Sequence, residues 1–74
     1  MDYGVVLFYT TSSTMRAEKV LGKEGYVVKL IPTPRQFSSD CGIALRFGWE
    51  QRQQVEILLK ENCVETEAIH GFQQ

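Results

Sequence analysis

Residues 3–32 read YGVVLFYTTSSTMRAEKVLGKEGYVVKLIP, two apolar runs separated by a polar segment. The first run, residues 3–9, is apolar on both alternating faces and rich in β-branched and aromatic side chains. This composition predicts a central strand that is buried on two sides. The second run, residues 26–31, predicts another strand, and Pro32 ends its ladder because proline lacks a backbone donor.

The segment between these strands, residues 10–24, predicts a helix. Its first four residues are Thr or Ser and offer N-caps, while Gly25 follows as a breaker. Ala17, Val20 and Leu21 recur at helical spacing. The stretch is therefore a strand–helix–strand unit.

The rest of the chain predicts two more strands around a second helix. Ile43, Leu45 and Phe47 alternate along one face of a strand. Val55, Leu58 and Leu59 share a helical stripe. The expected elements are a strand over residues 42–47, a helix over residues 49–62 with Asn62 as a left-handed C-cap, a weaker strand over residues 64–70 and a frayed tail over residues 71–74.

The order βαββαβ predicts an α+β fold, the ferredoxin-like two-layer sandwich. In this fold an antiparallel four-stranded sheet carries both helices on one face. Residues 1–74 form one domain in this interpretation, because a chain of 74 residues supplies a single core.

Composition excludes several classes of function. Eight Lys and Arg against nine Asp and Glu give a net charge of −1, so no overall field attracts nucleic acid or an anionic membrane. The apolar start is too short for a signal peptide or a membrane span, and we expect a cytoplasmic protein with reduced Cys41 and Cys63. Two cysteines and one histidine without close spacing predict no metal site, and we expect no cofactor.

The irregular connection over residues 32–41 is the candidate site, with Cys41 as its reactive group. In the predicted topology Cys41 lies at the sheet edge where the first helix begins. The positive end of that helix and the nearby Arg35 are expected to lower the pKa of the thiol, whereas the carboxylate of Asp40 opposes this. Gly42 leaves backbone amides accessible beside the sulfur. The predicted supporting residues are Arg35, Ser38, Ser39, Asp40, Gly42, Ser12 and Ser13.

Each candidate also has a purely structural interpretation. Cys41 has the alternative of a small buried hydrophobic residue at a strand start. Cys63, after the second helix, is interpreted as packed and structural, although the same sheet edge would let it resolve a mixed disulfide or persulfide. His70 is expected at the opposite sheet edge, as a surface histidine outside any Cys/His dyad.

Residues 30–46, LIPTPRQFSSDCGIALR, resemble the selenium/sulfur carrier-like family of small bacterial domains. The Ser-Ser-Asp-Cys-Gly element at residues 38–42 is the specific part, and the likeness extends to both ends of the chain. Members also resemble the domain that follows a TusA-like sulfur-relay domain in selenium metabolism proteins. The resemblance implies that Cys41 is a carrier cysteine.

Two functions from different classes remain open. The first is a sulfur or selenium carrier, a transfer protein rather than a turnover enzyme, in which Cys41 holds a persulfide or perselenide between donor and acceptor proteins. The second is a protein-binding or regulatory module in which Cys41 is structural and the site loop or the open sheet face is used for assembly. Ile57 and the apolar outer residues of the first strand fit this alternative.

A homodimer through the open sheet face is a further expectation. The first strand is apolar on both sides, so either Val6 and Phe8 or Val5 and Leu7 face away from the helices and lack a cover. Such a patch favours an isologous contact with a second copy. The alternative is a monomer whose loop or tail covers the patch.

Overall fold

A computed structural model describes residues 2–37 and 42–72. The elements are β1 (Tyr3–Leu7), α1 (Thr11–Lys23), β2 (Val28–Pro32), β3 (Ile43–Gly48), a 3-10 turn (Trp49–Gln51), α2 (Arg52–Glu61) and β4 (Ala68–Phe72). Their order is the predicted βαββαβ, and the 3-10 turn is an addition before the second helix. Neither helix in these two ranges is long and apolar enough to cross a membrane.

The sheet has four strands in the order β2-β3-β1-β4, and every neighbouring pair is antiparallel. β1 and β2 therefore run parallel to each other on either side of β3. This arrangement confirms the predicted ferredoxin-like α+β sandwich. We call the sheet end that contains Leu7, Pro32, Ile43 and Ala68 the upper edge. The start of α1, the end of α2 and the β2–β3 connection all lie at the upper edge because of the strand directions.

The main core lies between the sheet and the two helices. The predicted apolar positions of both helices and of the third strand supply it, with two exceptions. Val20 and Ile43 are half-buried and lie outside this cluster, while Leu58 is half-buried and packs against it. Each fully buried Leu or Phe side chain in such a core contributes about 1.5–3 kcal/mol. The buried cluster consists of Val6, Phe8, Ala17, Leu21, Leu45, Phe47, Val55, Leu59 and Val64.

The sheet face away from the helices is also covered. Val5, Leu7 and Ala44 form a second buried cluster, and Phe37 from the β2–β3 connection packs against it. The expectation of an uncovered patch is wrong, since Val5 and Leu7 are at most 2% exposed. These residues supply no exposed apolar surface for the expected homodimer. Phe37 packs there together with Tyr3, Ile31 and Ala68 of the sheet itself.

The turn after α2 differs from the prediction. Cys63, and not Asn62, takes the left-handed conformation, with φ 56°. The Asn62 side chain instead donates from Nδ2 to the Leu58 carbonyl over 2.8 Å, capping the helix end. The left-handed residue redirects the chain so that Val64 enters the helix-side core.

β4 begins later than predicted because the residues that follow α2 first pack against the helices, with Val64 buried in the main core. The strand spans Ala68–Phe72 instead of residues 64–70, so Gly71 belongs to the sheet and not to a tail. The chain rejoins the sheet just before this strand, where the Glu67 amide donates to the Leu7 carbonyl over 2.7 Å.

β2 is also displaced toward its C-terminal end. The Tyr26 amide donates to the Leu21 carbonyl over 3.0 Å and so belongs to the end of α1, which delays the strand until Val28. Pro32, expected to end the ladder, is included in the strand opposite Ile43. An edge strand tolerates proline because the missing donor can face solvent.

Candidate functional site at the upper edge

The structure divides the predicted site residues into two groups. Ser38, Ser39, Asp40 and Cys41 lie outside the described residues. Arg35, Gly42, Ser12 and Ser13 are described, and all four belong to elements that reach the upper edge. The described residues at this edge are those of the connection on both sides of residues 38–41 and those at the start of α1.

The β2–β3 connection is closed at its base. The Thr33 amide donates to the Gly42 carbonyl over 3.1 Å, one position beyond the Pro32–Ile43 pair of the ladder. Within the connection, the Phe37 amide donates to the Pro34 carbonyl over 3.0 Å and closes a tight turn. Gly42, which follows Cys41 in the sequence, is consequently fixed beside the first residue of β3.

α1 begins at the same edge with a side-chain cap. Thr10 is the N-cap, and its Oγ1 accepts from the Ser13 amide at 3.1 Å. The Thr10 hydroxyl also donates to Ser13 Oγ at 3.0 Å. Ser12 is exposed in this first turn, which contains no acidic side chain. The positive end of the helix dipole therefore faces the upper edge without a carboxylate in its own first turn.

Arg35 and Gly42 are both exposed at this edge. A Cβ built on Gly42 meets no atom within 4 Å, so the space beside the backbone there is open. Arg35 lies in the turn that starts at Pro34, two residues before Phe37.

Phe37 and His70 form an aromatic stack that the sequence did not indicate. Their ring centroids are 4.1 Å apart and the planes differ by 9°. The predicted position of His70, at the edge opposite the site, is wrong: His70 pairs with Val5 in the middle of β4 and is half-buried. The available signal for this contact was Phe37 itself, an aromatic side chain in an otherwise mostly polar connection.

Cys63 is exposed and not packed, which corrects the structural interpretation of this residue. Its left-handed conformation turns it away from the core that Val64 enters. The neighbouring Asn62 carbonyl accepts from Arg16 Nη2 over 2.9 Å. Through this contact the second turn of α1 is tied to the end of α2 at the upper edge.

A shallow cleft of about 710 Å³ lies at the opposite end of β3. Lys29 and Arg46 line it together with Asp2 and Glu50, so its formal charges balance. The Arg46 guanidinium carbon stands 4.3 Å from the Tyr3 ring centroid. The cleft contains none of the predicted site residues. Across the described ranges, no group of three or more His, Cys, Asp or Glu side chains is placed to hold a metal ion.

Comparison with known proteins adds one positive finding to this geometry. A family model described as "Putative Se/S carrier protein-like" matches residues 3–71. The matched range includes the whole β2–β3 connection, and the match confirms the resemblance seen in the sequence. Neither the curated proteins nor the solved structures give a match.

Proposed function

This chain belongs to the Se/S carrier protein-like family, and we propose that its Cys41 thiol carries a sulfur or selenium atom from a donor protein to an acceptor protein. The chain acts as a transfer protein in the cytoplasm and returns unchanged after each delivery. It needs no metal or cofactor, because the cargo is bonded directly to the cysteine sulfur.

The transfer consists of two displacement steps. The Cys41 thiolate attacks the outer sulfur of a donor persulfide, a new S–S bond forms, and the donor leaves as a thiolate. Cys41 then holds the outer sulfur as a persulfide. In the second step a nucleophile of the acceptor attacks that outer sulfur, and Cys41 leaves as the thiolate. With selenium as the outer atom the steps are the same, and neither step needs an external oxidant or reductant.

The main support for this role is the position of Gly42, the residue after Cys41. Gly42 is held at the upper edge by the Thr33–Gly42 hydrogen bond, and α1 begins at the same edge. A helix N-terminus stabilises a thiolate or a persulfide anion more than the neutral thiol, and this lowers the pKa of the group. The exposure of Gly42 supports access by donor and acceptor proteins.

Sulfur loading tests the proposal directly. A Cys63→Ser variant, with Cys41 as its single thiol, is incubated with a persulfide donor such as glutathione persulfide and analysed by intact-mass spectrometry. We expect one added sulfur atom on Cys41, and its loss when a thiol acceptor is added. Cys41→Ser, which keeps Cys63, is the matched control and should take up no transferable sulfur. Absence of loading on Cys41, or equal loading of Cys63, contradicts the carrier role.

A second candidate, the protein-binding module, is favoured by one observation. Ile57 is 57% exposed on the outer side of α2, where an apolar side chain adds little buried area to the core. In this case Cys41 is inert to alkylation in the native protein. The loading experiment therefore separates the two functions.

A further inference from the structure

Phe37 is the anchor point of the β2–β3 connection on the sheet. Its ring lies nearly parallel to the His70 ring, 4.1 Å between centroids, and it packs on the cluster of Val5, Leu7 and Ala44. That cluster is at most 2% exposed, and Phe37 is the residue of the connection that packs against it, beside Tyr3, Ile31 and Ala68. The connection is thereby fixed to β1, β3 and β4 at once.

Among the described residues of the connection, two main-chain hydrogen bonds act on its base and on its own turn. The Thr33 amide donates to the Gly42 carbonyl, and the Phe37 amide donates to the Pro34 carbonyl. Arg35 and Gln36 are exposed. Without the Phe37 ring, the turn over residues 34–37 would lose its packing on the sheet, while the Thr33–Gly42 hydrogen bond would stay in place.

We propose that Phe37 and His70 form an anchor that positions the β2–β3 connection for the chemistry of Cys41. Phe37 is thus a positioning residue, and His70 is the side chain on which its ring stacks. This inference depends on the proposed carrier function for its purpose, but the anchor itself is measurable without it. Sequence order supports the link, since Phe37 precedes Cys41 by a short segment of the same connection.

The anchor is tested first by its effect on the connection. Trypsin cleaves after Arg35, an exposed residue within the Pro34–Phe37 turn, and the rate of this native-state cleavage reports how often the turn leaves the sheet. Phe37→Leu and His70→Ala should each raise the rate by roughly three- to tenfold, the range expected for loss of an aromatic pair. His70→Phe, which restores a ring partner, should keep the rate near that of the parent. Ile57→Ala, on the far side of α2, is the control and should have no effect.

A double variant and an NMR measurement show whether the two residues act as one unit. Phe37→Leu combined with His70→Ala should cleave no faster than the faster single variant, because both changes remove the same contact. In the parent, the ring current of Phe37 should shift the His70 ring protons, and Phe37→Leu should abolish the shift. The anchor proposal is wrong if the double variant is faster by the product of the two single fold-changes. It is also wrong if Phe37→Leu leaves the chemical shifts of the His70 ring protons unchanged.

The second test concerns Cys41. In the Cys63→Ser background, the alkylation rate of Cys41 is measured against pH for the parent, Phe37→Leu and His70→Phe. We expect Phe37→Leu to move the pKa of Cys41 toward that of a free cysteine, about 8.5, while His70→Phe leaves it in place. Faster Arg35 cleavage with an unchanged Cys41 titration would overturn the positioning role. If Cys41 in the parent does not react at all, the carrier function fails, and the cleavage and NMR results still decide the anchor separately.

Discussion

The Arg16 guanidinium donates from Nη2 to the main-chain carbonyl of Asn62 over 2.9 Å. Arg16 lies in the second turn of α1, and Asn62 is the C-cap of α2. The last carbonyls of a helix have no partner within the helix and carry partial negative charge, so a guanidinium satisfies one of them. This contact joins the two helices at the edge where the proposed carrier cysteine belongs.

Replacing Arg16 by Ala should lower the free energy of unfolding by about 0.3–1 kcal/mol, the usual worth of an exposed cation at a helix C-terminus. Urea unfolding measures this as a lower midpoint with an unchanged slope. Lys19→Ala is the matched control, because it removes an exposed cation of the same helix that makes no hydrogen bond to the α2 terminus among the described residues. Equal effects of the two substitutions would contradict the role of the contact.

Gly4 and Gly22 should respond in opposite directions to substitution by Ala. A Cβ on Gly4 would overlap the ring of Phe47 and come within 2.8 Å of Trp49, so Gly4→Ala should destabilise the protein by about 1–3 kcal/mol. A Cβ on Gly22 meets nothing within 4 Å in a helical position, and Gly22→Ala should stabilise by up to about 1 kcal/mol. Thermal or urea unfolding of both variants checks the pair. A neutral Gly4→Ala would show that the two aromatic rings can move aside.

Much of the fold could be predicted because its patterns are local. The alternation along the third strand and the helical stripe of Val55 and Leu59 each depend on neighbouring residues only. Leu45, Phe47, Val55 and Leu59 are buried in the main core as predicted, whereas Ile43 at the strand start is half-buried outside it. The topology follows from the order of these elements, since crossover connections allow few alternatives.

The wrong predictions concern contacts between distant parts of the chain. The position of His70 depended on the register of β4, which in turn depends on the route of residues 64–67 past the end of α2. Val5 and Leu7 are buried partly because Phe37 packs on their face of the sheet. Sequence periodicity does not indicate which face of a sheet a connection packs against. For the same reason the exposure of Cys63 was missed: a left-handed residue after a helix is set by the packing of Val64.

Arg35→Ala is expected to raise the pKa of Cys41, as the sequence predicts. The guanidinium is exposed in the same connection and favours the thiolate over the thiol, so its removal makes the thiolate harder to form. Alkylation rates against pH in the Cys63→Ser background give this pKa. Lys23→Ala is the matched control, since it removes one positive charge at the far end of α1. The difference between the variants should shrink at high salt because both charges are exposed. If the pKa of Cys41 is the same in Arg35→Ala and in the parent, groups other than Arg35 stabilise the thiolate.

The oligomeric state should depend on Phe37. Since this ring covers Val5, Leu7 and Ala44, the parent protein is expected to sediment at the mass of one 8.5 kDa chain at micromolar concentration. Phe37→Ala uncovers that apolar cluster and should cause self-association through the open sheet face, the surface on which a homodimer was expected. Ile57→Ala removes an exposed apolar side chain without uncovering the sheet, and it should leave the mass unchanged. Sedimentation equilibrium of the three proteins measures this directly. A parent that is already dimeric would mean that a different surface mediates association, and a monomeric Phe37→Ala would mean that another part of the chain protects the face.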